Sequence, residues 1–179
     1  MRSLVTLALL LAACATPEGA TQGEQRAQTL AMRDESIAQL RKRYPNSHAL
    51  LDDAYGTAVF TNISMTIFFA GGGGGYGVAT RASDGATTFM TMRTGSAGLG
   101  LGGREYRLIA IFRTQAAYEK FIAGGSGFGG EAEVSSGEGD APSGGTATGG
   151  APDVRIYQLT TDGTEMKATL TSAKFEVGG

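Results

Sequence analysis

The chain has 179 residues, a formal net charge of −2, 29 glycines, one cysteine and one histidine. The near-balanced charge argues against a nucleic-acid binder, which needs a marked basic excess. A lone Cys excludes an internal disulfide and a Cys-based zinc cluster, and a lone His excludes a two-His metal site.

Residues 1–13 read as a lipoprotein signal peptide. Met1-Arg2-Ser3 is a positive start, Leu4 to Leu11 a short apolar run, and Leu11-Ala12-Ala13-Cys14 closes it. A permanent span needs about 20 apolar residues; a shorter run followed by small residues is a cleaved export signal. Leu-Ala-Ala-Cys resembles the bacterial lipobox, in which the Cys thiol takes a diacylglyceryl group and becomes the first mature residue. Cys14 is therefore the expected lipidation site. Two or three acyl chains anchor stably where one holds only marginally. Ala15, where an Asp would favour the inner membrane, points to the outer membrane and its periplasmic face.

Residues 14–23 form a small, polar tether, and 24–179 a single domain. Thr21-Gln22-Gly23-Glu24 has capping-box spacing, so a helix is expected from there. Ala27, Leu30, Ile37, Leu40 and Tyr44 share one stripe, and Arg33, Glu35, Gln39 and Arg41 lie off it. Arg41-Lys42-Arg43 complements the negative end of the helix dipole, and Pro45 stops the helix. Asn46 or Ser47 is placed to cap a second, short helix from His48 to about Ala54.

Beyond Thr57 the period changes to that of strands: Thr57 to Phe69, Tyr76 to Ala82, Thr87 to Thr94 and Glu105 to Arg113. Asp84-Gly85 is a hairpin turn. The unbroken apolar run Leu108 to Phe112 predicts burial on both faces. Gly71 to Gly75 and Gly95 to Gly103 are read as corners of a strongly curved sheet. The alternative is a glycine-lined face that admits a lipid chain or another backbone. Thr114 caps an internal helix, Gln115 to Ile122, that buries Ala117, Tyr118 and Phe121. Residues of about 123–150 read as a glycine-rich, mobile loop. Val154 to Thr160 is a strand, Asp162-Gly163 a second hairpin, and Glu165 to Val177 the last strand. A phase slip in its apolar positions predicts a bulge near Ser172. The expected fold class is α+β: a strongly curved antiparallel β-sheet or barrel with N-terminal helices and one internal helix.

Catalytic constellations are missing. Gly-x-Gly-x-x-Gly starts at Gly72, Gly98 and Gly125, and three matches in so glycine-rich a chain discredit one another. Strand pattern, not helix, follows the first two, against the dinucleotide fingerprint. No P-loop or nucleophile elbow occurs. Asp34/Glu35 and Asp52/Asp53 are adjacent on helices, so their side chains diverge. Glu131, Glu133, Glu138 and Asp140 lack the spacing of a calcium loop. His48 sits in a polar turn, suited to solvation or capping. Met65, Met90, Met92 and Met166 are core filler. No cofactor, no metal and no enzymatic activity are expected.

The order of segments resembles the SYLF domain. Its marks are Ala54-Tyr55-Gly56-Thr57-Ala58-Val59-Phe60, Gly75-Tyr76-Gly77-Val78, Gly98-Leu99-Gly100-Leu101-Gly102, Tyr106 to Phe112 and Val154 to Thr160. Lys167 to Thr171 and Lys174-Phe175 resemble its bacterial lipoprotein branch. The likeness covers residues of about 30 to 177. Thr61 replaces a frequent Pro, and Met65 to Phe69 replaces a Gly/Lys-containing stretch. The resemblance implies a lipid-binding domain: eukaryotic members bind phosphoinositides through a basic amphipathic N-terminal helix, and a yeast relative also bundles actin. Arg41, Lys42 and Arg43 are the nearest counterparts here, by position and character. The expectation is a non-enzymatic outer-membrane lipoprotein that binds phospholipid through anionic head groups. The alternative is a periplasmic structural or protein-interaction module that its lipid anchor only tethers.

Overall fold

The computed structural model describes residues 19, 21–124, 132–134, 145–146, 153–160, 168–170 and 172–178, without the side chains of 64–71, 95–104, 124, 132–134, 145–146, 160, 168–170 and 172–173. The signal peptide, Cys14, most of the tether, most of the 123–150 stretch and Asp162-Gly163 lie outside the described residues.

The first helix, α1 (Gln22–Arg43), starts at the expected capping box. Glu24 N–H donates to Thr21 Oγ1 (3.2 Å), and Thr21 N–H donates to Glu24 Oε2 (3.0 Å). Its buried face is rotated from the expected stripe. Thr29, Met32, Ser36 and Leu40 are buried, whereas Ala27 is exposed and Leu30, Ile37 and Tyr44 are half-buried. The two hydroxyls explain the rotation. Thr29 Oγ1 donates to Gln25 O (2.8 Å) and Ser36 Oγ to Met32 O (2.7 Å). Each satisfies its polarity within the helix and can then be buried. The short helix α2 (Ser47–Asp52) ends earlier than expected, and neither cap bond forms. Asn46 has helical backbone angles and no side-chain cap bond, and Ser47 is a buried helical residue.

Two strands then run much further than the residue pattern suggests. β1 (Gly56–Arg81) and β2 (Thr87–Phe112) form one antiparallel hairpin paired from Gly56↔Phe112 to Thr80↔Thr87. The glycine clusters lie inside these strands and do not end them. Glycine lacks strand propensity but keeps its backbone donor and acceptor, and pairing across the hairpin overrides local preference. One register shift, between Phe68 and Ala70, interrupts the ladder. The turn is as expected: Gly85 has φ +70°, and Asp84 Oδ1 accepts from Ala86 N–H (3.0 Å).

The glycines of β1 admit another backbone, and it belongs to β1 itself. A Cβ on Gly77 would lie 2.2 Å from Val59 O, one on Gly75 1.7 Å from Thr61 O, and one on Gly73 2.7 Å from Ile63 O. Alternate residues thus meet alternate carbonyls in antiparallel order. Ala82 N–H donates to Tyr55 O (2.9 Å) where the tip of the hairpin reaches its base.

After β2, Thr114 caps α3 (Gln115–Gly124): its Oγ1 accepts from Ala117 N–H (3.4 Å). The stretch read as a loop contains two short strands, β3 (Ala132–Val134) and β4 (Gly145–Thr146). Then come β5 (Val154–Thr160), β6 (Ala168–Leu170) and β7 (Ser172–Val177). The phase slip near Ser172 marks a change of partner and not a bulge. β6 pairs with β3 in a separate ribbon, whereas β7 pairs with β2 at 90–95. β5 pairs with the other end of β2, at 106–112, and β4 pairs with β5. The fold is α+β with an antiparallel sheet, and among the described residues that sheet is not closed into a barrel.

The sheet of β1, β2 and β5 is buried on both faces, as the apolar run predicted. Val59, Ile109, Ile111, Tyr157 and Leu159 pack under α1 and α2, against Met32 and Leu40. Phe60, Leu108, Ala110, Phe112 and Ile156 face the other way, against α3, β7 and the far half of the hairpin. Met90 and Met92 are buried in that second core.

Candidate functional site

Three consecutive cations end α1, and the fold gives them different surroundings. Tyr44 N–H closes the helix on Leu40 O (2.8 Å), and Pro45 turns the chain so that α2 folds back beside it. Arg41 is drawn into this junction. Its Nη2 donates to Asp52 Oδ1 (2.8 Å), and its own carbonyl accepts from His48 Nε2–H (3.1 Å). His48 Nδ1 then faces Arg41 Nη1 (3.5 Å), consistent with the Nε2–H tautomer. The single histidine therefore caps the end of α1. Lys42 and Arg43 remain exposed, and among the described residues neither has an ion pair or hydrogen bond. The expected basic trio is thus a structural arginine followed by two free cations.

Asp34 and Asp52, one from each adjacent acidic pair, hold arginines: Arg33 Nη2 lies 2.7 Å from Asp34 Oδ1, and Arg41 holds Asp52. Arg33 was expected off the buried stripe, yet its Nη1 donates to Thr80 Oγ1 (3.2 Å) on β1. Sequence periodicity missed it because Thr29 and Ser36 conceal the direction that α1 turns inward. Between α1, Ala54 and the two ends of β1 opens a cleft of about 420 Å³, with Arg33 and Arg41 on its wall and Ile37 and Leu51 among its apolar lining.

Inside the second core lies a buried polar group. Asn62 Nδ2 donates to Thr94 Oγ1 (3.3 Å), joining the two halves of the hairpin. Tyr106, paired opposite Asn62, is 4% exposed. Burial pushes its hydroxyl up to about 12, partly offset by a hydrogen bond with Thr94. This group is neutral and cross-braces the hairpin.

Among the described residues, no three His, Cys, Asp or Glu side chains gather into a metal-binding group. No described helix is long and apolar enough to cross a membrane. Cys14 lies outside the described residues. Comparison with protein-family models found no match. Among curated proteins, the chain is similar to Beta cell expansion factor A of Aeromonas veronii. The two are 28% identical over 155 residues, which is 87% of this chain and 58% of that protein. The chain thus spans less than two thirds of the relative's length.

Proposed function

We propose that the chain is a non-enzymatic bacterial lipoprotein of SYLF type that binds phospholipid at the periplasmic face of the outer membrane, through anionic head groups. The observation that carries the reading is the exposed Lys42-Arg43 pair, which has no acidic partner among the described residues. Each cation near an anionic surface contributes about 1 kcal/mol, so two give weak binding on their own. An acyl anchor at Cys14 makes weak binding sufficient, because the tether keeps α1 at high effective concentration near the bilayer. Its 22 residues rise about 33 Å. For its basic end to reach the surface, α1 lies along the bilayer. We also read the sheet as strongly curved, supported by the contacts of Gly73, Gly75 and Gly77 with the first half of their own strand.

Vesicle flotation with a soluble Cys14→Ser form tests the lipid contact. Flotation is expected on vesicles containing phosphatidylglycerol, weakening as salt rises and absent on phosphatidylcholine alone. Lys42→Glu with Arg43→Glu is expected to abolish it while leaving the melting temperature within about 2 °C, as for exposed positions. Arg41→Glu is a poorer test, since it also breaks the contact with Asp52. Binding that ignores head-group charge, or no binding, would favour the interaction-module alternative. Mass spectrometry of the exported protein checks the anchor: an unmodified Cys14 thiol overturns it.

A further inference from the structure

The cleft beside α1 has a polar end and an apolar floor. At the polar end Arg33 Nη1 donates to Thr80 Oγ1 (3.2 Å), which leaves the Thr80 O–H free to donate elsewhere. Arg33 has one acidic partner, Asp34, whose side chain is 68% exposed against 21% for Arg33. A pair with so exposed a carboxylate is weak, so an incoming anion can displace it. A guanidinium has five N–H donors, and those that Asp34 and Thr80 leave unused can serve a second acceptor. Ile37 and Leu51 line the cleft beyond this end. Its volume, about 420 Å³, lies in the range of small-molecule sites. The lining carries two arginines, Arg33 and Arg41, against one carboxylate, Asp34, and the rest is two threonines and apolar side chains. The complementary molecule has an acceptor-rich anionic head and an apolar tail.

We propose that this cleft binds a single anionic amphiphile. Its carboxylate or phosphate monoester sits on Arg33 and Thr80, and its alkyl chain lies over Ile37 and Leu51. This site is distinct from Lys42 and Arg43 and does not depend on them. The same head chemistry belongs to a free fatty acid, an alkyl phosphate or a lysophosphatidic acid. A bilayer lipid is a separate source, because its tail must leave the membrane to enter.

Calorimetric titration of the Cys14→Ser protein with dodecyl phosphate below its micelle concentration tests the site. Dodecanol, which lacks the charge, and inorganic phosphate, which lacks the chain, are both expected to bind at least about tenfold more weakly; tenfold corresponds to one charge-assisted hydrogen bond. Ala38 is exposed and lines the cleft. Ala38→Trp fills the cleft without entering either core and is expected to abolish binding. Arg33→Met keeps the alkyl stem and is expected to weaken binding by about tenfold. Asp34→Asn frees Arg33 and is expected to tighten it. Equal affinity for dodecanol, or dodecyl phosphate binding that survives Ala38→Trp, overturns the proposal. So does binding lost on Lys42→Glu with Arg43→Glu, which would move the ligand to the surface pair. Vesicle flotation is expected to survive Ala38→Trp, so failure of the cleft and failure of the surface reading give different patterns. Vesicle binding that Ala38→Trp abolishes, without binding of the monomeric amphiphile, overturns the cleft as proposed.

Discussion

Gly75 and Gly85 are both glycines for steric reasons, and the reasons differ. At Gly75 there is no room: a Cβ would lie 1.7 Å from Thr61 O. At Gly85 there is room, but φ is +70°, which costs an L-residue about 1–2 kcal/mol. Gly85→Ala is expected to lose that much in urea denaturation. Gly75→Ala forces two backbone segments apart and is expected to lose about 3 kcal/mol or more, the upper range of overpacking. A smaller loss at Gly75 than at Gly85 would show that the contact between the two halves of β1 yields easily. Tyr106 carries a pH prediction. The folded protein holds its proton to about 12, while an unfolded tyrosine loses it near 10. Between those values the folded state binds more protons, so each rise in pH favours unfolding. The stabilisation is complete below pH 10 and is lost as pH rises toward 12, on the order of 3 kcal/mol in all. Urea titrations across that window should show the loss, and Tyr106→Phe should flatten it.

At the scale of the element, α1 combines a local start with a tertiary orientation. The capping box uses residues three apart and forms without help from the rest of the chain. Thr21→Ala is expected to cost about 1 kcal/mol, measured by thermal denaturation. The inward face depends instead on hydroxyls that bond backward to their own helix. Near the N-terminus, Arg26 lies over the Phe89 ring (5.2 Å to its centroid) and docks the helix on the hairpin. At the other end, Arg41 and Asp52 are both solvent-accessible. Asp52→Asn is therefore expected to cost less than about 1 kcal/mol. What that pair provides is position: it keeps Arg41 against α2 and leaves Lys42 and Arg43 outward.

For the molecule as a whole, one sheet serves two cores. Alternate residues of β2 feed each: Leu108, Ala110 and Phe112 on one side, Ile109 and Ile111 on the other. Phe121 of α3 joins the second core together, with its ring 5.1 Å from both Phe112 and Phe175 and 6.2 Å from Phe60. It therefore ties α3, β1, β2 and β7 into one unit. Phe121→Ala is expected to cost about 3–5 kcal/mol, a large share of the 5–15 typical of a domain. Because the cores share β2, both should melt in one transition. Coincident far-ultraviolet circular dichroism and tyrosine fluorescence curves would show this, and two separated transitions would contradict it.

Local chemistry was legible in the residues themselves. The capping box at Thr21, the turn at Asp84-Gly85, the cap at Thr114 and the two-sided burial of Leu108 to Phe112 each depend on neighbours a few positions away. The bounds of β5 follow for the same reason. Tertiary structure alone decided how far the strands run, because the glycine segments become strand only by pairing across the hairpin. It also decided which backbone meets those glycines, since Gly75 is matched to Thr61 by the path of the whole strand. The same holds for the candidate site. A run of three basic residues marked the end of α1, but Asp52 and His48 selected Arg41 for structure and left its two neighbours to solvent. Arg33 and its cleft were hidden because their partners, Thr80 and Leu51, lie far along the chain, and no short-range pattern records a distant contact.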